Sequence, residues 1–196
     1  MAKRRQNFRH LISGVVILGE GITEKYYFEH LKNIKGYTCI IRPRFFCNTC
    51  IDEMQNRIIE ALQGDVTVIC VFDADVASRN EPENRKLTAL RNKYERNKNV
   101  IFCDSLPTIE YWFLLHYRDT CPNYPNSAVV VRDLKRHIPA FAKNEDFLEK
   151  EKWVRDMSIT NGSLLQAMER AEKYNHREAS YSDIYLAINK LNETIG

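Results

Sequence analysis

Hydrophobic and polar positions divide this chain into short continuous apolar runs and longer stretches with helical spacing. The most continuous run is Val66–Phe72, closed by Asp73-Ala74-Asp75. Its residues are mostly β-branched or aromatic, and it is too short for an amphipathic surface helix. It predicts a strand buried on both faces of a parallel sheet. Val15–Leu18, Thr38–Phe46 and Val100–Cys103 read as further strands, Pro43 favouring an edge or a strand end. Ile22, Tyr26, Tyr27, Leu31 and Ile34 recur at helical spacing, with Thr23 able to cap the start and Gly36 to end it. Ile51–Leu62 and a stretch from about Leu87 to Asn97 are also helical, and residues 76–86 read as a polar loop. The run 105–117 is apolar nearly all round, which predicts a buried helix. Beyond Asp119 strands largely disappear, and helices are expected at about 129–138, 145–155, 160–175 and 181–193. The expectation is an α/β core of about four mainly parallel strands flanked by helices (1–118), with a C-terminal helical cap packed on it (119–196).

Composition narrows this little. The 196 residues make one domain, or a domain with an appendage, and 44% hydrophobic with 28% charged residues is ordinary for a globular chain. A net charge of +3 permits a nucleic-acid partner without demanding one. No apolar stretch is long enough to span a bilayer, and the basic start MAKRRQNFRH leads into the first strand with no signal-peptide cleavage site. Six cysteines, three of them in expected strands, fit free thiols in a reducing cytoplasm. Cys47-Asn48-Thr49-Cys50 is half of a zinc motif or a redox pair at most. With no second such pair and no histidine pair nearby, it reads as a loop-to-helix junction.

The candidate chemistry is carboxylate chemistry. Asp73 and Asp75 stand at a strand's carboxyl end, where open α/β sheets bind ligands, and side chains two apart on extended backbone point the same way. Adjacent like charges call for a cation, and oxygen ligands suit a hard divalent one; a polar turn is the alternative. Glu20 lies between Gly19 and Gly21 after the first strand, and Glu24 falls on the same side of the following helix. Helix capping explains Glu24 well and the glycine-flanked Glu20 poorly. Glu110, inside the apolar run, needs a metal or a salt-bridge partner. Arg79, Arg91, Lys93 and His116 are the candidate substrate contacts; the basic stretch around Arg91 suits phosphate but is equally a solvated face.

A glycine-flanked Glu after the first strand and Asp-x-Asp after the third resembles the TOPRIM arrangement of topoisomerases, DnaG-type primases and overcoming-lysogenization-defect nucleases. More closely, the chain resembles the RloB-like family, through ILGEGITEKYYFEHL, VFDAD, SLPTIEYWFLLHY and SYSDIYLAINKL. Leu106 and Ile109 depart from that family's usual Asn and Phe, while Glu110, Trp112 and His116 are kept. The resemblance implies a TOPRIM-like Rossmannoid core and a bacterial protein encoded near restriction or phage-defence genes. With it, Glu20, Asp73 and Asp75 are expected to be catalytic, and Glu20, Glu24, Asp73, Asp75 and Glu110 to hold Mg²⁺ or Mn²⁺. The expected activity is hydrolysis of DNA or RNA, alone or with a protein partner of a defence or restriction system. The other expectation is a non-catalytic nucleic-acid or nucleotide-binding module.

Overall fold

The computed structural model describes residues 14–42, 51–75, 80–119, 123–176 and 178–195. Strand β1 (Gly14–Gly19) leads into helix α1 (Ile22–Lys35), and β2 (Cys39–Arg42) is followed by α2 (Ile51–Ala61). Strand β3 (Val66–Asp73), α3 (Glu81–Tyr94), β4 (Val100–Leu106) and α4 (Glu110–Leu115) complete the first part. The extension holds α5 (Ser127–Leu134), α6 (Glu145–Leu148), α7 (Lys152–Arg155), a π-helical turn (Asp156–Thr160) and α8 (Leu164–Lys173). It ends in β5 (Tyr181–Ser182) and α9 (Ile184–Asn192).

The sheet runs β2-β1-β3-β4-β5, parallel except for β5, which lies antiparallel on β4. This is a doubly wound α/β sheet, and β1 and β3 are its central pair. Consecutive connections leave those two strands in opposite directions across the sheet, so a crevice opens at their carboxyl ends.

Alternation along the central strands feeds two cores. Val15, Ile17, Ile69, Val71 and Cys103 face one core, with α1, α4 and helices of the extension. Val16, Leu18, Val68, Cys70 and Phe72 face the other, with α2 and α3. Asp73 shares the parity of Ile69 and Val71 and therefore faces α1 and α4. Asp104, paired in register with Phe72, faces α3. The indole N–H of Trp112 on α4 donates to the Tyr27 hydroxyl on α1 at 2.7 Å, fixing those two buried helices side by side.

Several boundaries differ from the sequence reading. Helix α3 starts at Glu81, inside the expected polar loop, because Asn80 caps it by accepting from Glu83 N–H at 3.4 Å and Pro82 suits a first turn. Gly21, not Thr23, is the N-cap of α1, and Glu24 reaches back to accept from the Gly21 N–H at 2.9 Å. Gly36 ends that helix as expected, with φ of 74°. Strand β4 runs on to Leu106, and a cis Leu106–Pro107 bond precedes α4. The expected helix at 145–155 is two short helices, and β5 was not anticipated. The first basic residues, Arg44, the Cys47/Cys50 pair and Arg79 lie outside the described residues. No helix among the described residues is long and apolar enough to cross a membrane.

Candidate functional site

At the carboxyl ends of β1 and β3, four carboxylates meet: Glu20 from the turn after β1, Glu24 from α1, Asp73 from β3 and Glu110 from α4. Glu20 follows β1, and its Oε2 accepts from the Asp73 N–H at the end of β3 at 3.1 Å. Asp73 is held by α4's entry: the Ile109 N–H donates to its Oδ1 at 2.8 Å and the Thr108 hydroxyl lies 2.9 Å from its Oδ2. Thr108 also contacts the Glu110 carboxylate. Glu24 comes in from the first turn of α1. Bulk is excluded around it, since a Cβ on Gly21 would stand 2.9 Å from the Glu24 Oε2 and one on Gly19 3.1 Å from its Cβ. The glycines flanking Glu20 thus leave space that α1's own acid fills.

Glu110 is fully buried, and its one cationic partner among the described residues is Lys143, whose ammonium lies 2.9 Å from Oε1. Burial, with Glu110 and Glu20 adding repulsion, pushes the Glu24 carboxyl up to about 7, against a backbone hydrogen bond and Lys143. Burial raises Asp73 well above the ordinary aspartate range, and Glu24, Glu110 and Glu20 push the same way. Burial lowers Lys143, but the charge and hydrogen bond of Glu110, with Asp73 and Glu24 behind them, raise it on balance.

Of the expected acids, Glu20, Glu24, Asp73 and Glu110 are brought together. Asp75 is not aligned with Asp73 as an extended Asp-x-Asp would be. The strand stops at Asp73, Ala74 bends, and Asp75 already has helical backbone. Arg91 and Lys93 are not brought to the cluster either. Arg91 sits across the sheet, 2.5 Å from Asp104 and over the rings of Phe72 and Phe102. Lys93, on the same helix, holds its ammonium over Tyr94. His116 is buried, its Nδ1 3.1 Å from the Trp112 carbonyl oxygen and its ring edge-on to Trp112. Burial lowers its pKa to about 4, so it stands in the core as a neutral ring and not at a surface open to substrate. Thr108 and Lys143 were missed as site residues. The TIE spacing hints at Thr108, whereas Lys143 is one of 29 basic residues and comes from a loop before α6, with no local signal.

The donor set fits a hard divalent cation in kind: oxygen ligands only, buried and mutually repelling. In spacing the cluster is closed, because among the described residues no three Asp, Glu, His or Cys side chains stand as metal ligands. Thr108, Ile109 and Lys143 already engage oxygens of Asp73 and Glu110.

Fold and site define a doubly wound α/β protein with an acidic centre at its topological switch point. The family model described as RloB-like protein matches residues 15–191, and the chain belongs to that family. No curated protein and no solved structure matches it.

Proposed function

We propose that this RloB-like protein is a divalent-metal-dependent nuclease of the TOPRIM type, acting on DNA or RNA in the bacterial cytoplasm as part of phage defence or a restriction system. The observation that carries the reading is the gathering of Glu20, Glu24, Asp73 and Glu110 at the β1/β3 switch point, with Glu24 raised to about 7 by burial and by the neighbouring carboxylates. The TOPRIM resemblance of the GEG and DAD motifs supports the same reading.

Glu20, Asp73 and Asp75, with Glu24 and Glu110, would hold Mg²⁺ or Mn²⁺. A cation there neutralises phosphate charge and makes a hydroxide nucleophile available near neutral pH. The chain's own part is positional. The Asp73 N–H aims the Glu20 carboxylate, which serves as general base or as a ligand. Thr108 and Ile109 hold Asp73 in one orientation. The glycines flanking Glu20 leave room for the Glu24 side chain beside it.

Labelled single- and double-stranded DNA and RNA, incubated with Mg²⁺ or Mn²⁺, test this. Wild type should cleave at least one substrate, and the Asp73→Ala/Asp75→Ala double variant should lose about a thousandfold or more. Absence of cleavage by wild type under every metal and substrate sinks the nuclease reading.

A second reading has its own support: with Lys143 already beside Glu110 and no three metal ligands converged among the described residues, the site suits a binding module that acts with a partner protein. In that case calorimetry detects metal or nucleotide binding without turnover.

A further inference from the structure

Tyr117 lies just beyond the end of α4 opposite Glu110, and there the extension walls a cavity of about 390 Å³. Its apolar body comes from Ile138, Phe147 and Trp153. The Tyr117 and His137 rings lie parallel beside it, centroids 4.8 Å apart and planes within 7°. Tyr117 is half-buried and His137 exposed, so this two-ring stack has an open outer face. Burial first, then Arg118 and Arg136, holds His137 below the usual histidine range and keeps the ring neutral at pH 7.

The polar groups of the cavity are few and fixed. Asp156 and Asn161 offer a carboxylate and an amide, and both are placed by the π-helical turn, whose Asn161 and Gly162 N–H groups donate to the Asp156 carbonyl at 2.7 and 3.3 Å. Gly162 has no alternative there, because a Cβ would stand 2.2 Å from the Met157 carbonyl oxygen. Single π turns of this kind recur at functional sites. Two cations complete the wall. Lys152 lies 2.5 Å from Asp156, and Lys150 makes no ion pair among the described residues.

A planar group on the stack, a hydrogen-bonding edge toward Asp156 and Asn161, and an anion near Lys150 and Lys152 are together the parts of a nucleotide. An aliphatic ligand would use the apolar wall and leave the other groups idle. We propose that this cavity is a nucleotide site, separate from the carboxylates, in which the base extends the Tyr117–His137 stack and the phosphate meets Lys150 and Lys152. A free mononucleotide and a nucleotide within a single strand share this chemistry. The site stands whether or not the chain is a nuclease.

The test uses the full chain with chelator present, to silence any metal-dependent cleavage. AMP, GMP, CMP and UMP, and single-stranded RNA and DNA tetranucleotides, are titrated by calorimetry and by quenching of Trp153 fluorescence. At least one of these ligands should bind. His137→Ala and Lys150→Ala, both at exposed positions, should each weaken it about tenfold, as loss of a stacking or phosphate contact does. Asp73→Asn should leave it unchanged, which separates this site from the carboxylate cluster. A tetranucleotide at least tenfold tighter than its mononucleotides identifies a strand as the source, and equal affinity identifies the free nucleotide. No binding at millimolar concentration, or binding that both alanine variants leave intact, overturns the proposal.

Discussion

Two aspartates on neighbouring strands, one register position apart, meet opposite fates. Asp104 is buried and fully answered: Arg91 lies 2.5 Å from one oxygen and the Tyr181 hydroxyl 2.5 Å from the other. Asp73, on the other face, is answered by an amide N–H and a hydroxyl, yet stands among three further carboxylates, of which Glu110 has Lys143 as its partner. Burial of an acid therefore does not mark a site. A buried acid crowded by other carboxylates differs, because their mutual repulsion adds to burial in raising its pKa and costs stability.

The comparison predicts opposite responses to neutralisation. Arg91→Met should be the most harmful change, costing roughly 3 kcal/mol by urea titration, because it takes the guanidinium away from the buried Asp104 carboxylate. A loss within experimental error would mean that Asp104 is not charged in the fold.

On the Asp73 face, pH does the neutralising. The folded Glu24 carboxyl titrates at about 7 against 4.5 when unfolded, so between those values the native state holds the extra proton. Stability should accordingly fall as pH rises through that window, by roughly 3 kcal/mol if Glu24 titrates alone. Glu24→Gln should flatten the profile, and an unchanged profile would break the argument.

Asp73→Asn should cost nothing at pH 8 and gain up to about 1 kcal/mol, since the amide oxygen still accepts from Ile109 N–H while the repulsion is gone. A destabilisation as large as that of Arg91→Met would make the two aspartates equivalent. Smallest of all, Lys152→Ala removes an exposed ion pair with Asp156 and should shift thermal unfolding by no more than about half a kcal/mol.

Much of this was legible in the residues. VTVICVF could be only a doubly buried strand, and GEG followed by helical spacing located Glu20 and Glu24. The misreadings have local causes. Asp75 was paired with Asp73 on the assumption that strand geometry continued, but the strand stops one residue into the motif. Arg91 looked adjacent to the carboxylates in sequence, and only the alternation of side chains across β3 and β4 shows that it serves the opposite face. Lys143 and the Tyr117–His137 stack depend on contacts between distant segments, which no period reports. The two residues of β5 are too few to carry a pattern at all.

That short strand also bears on how the molecule is made. β5 joins β4 across a sequence separation of 77, where the Ser105 and Ser182 hydroxyls meet at 2.8 Å and Tyr181 reaches Asp104. During synthesis β4 must therefore wait as an unpaired edge until the last strand emerges, which makes assembly slow and exposes a template for mispairing. Chains cut before residue 180 would carry every carboxylate of the switch point and still present that open edge. Their fate in the cell should be governed by aggregation, not by the chemistry of the acids they retain.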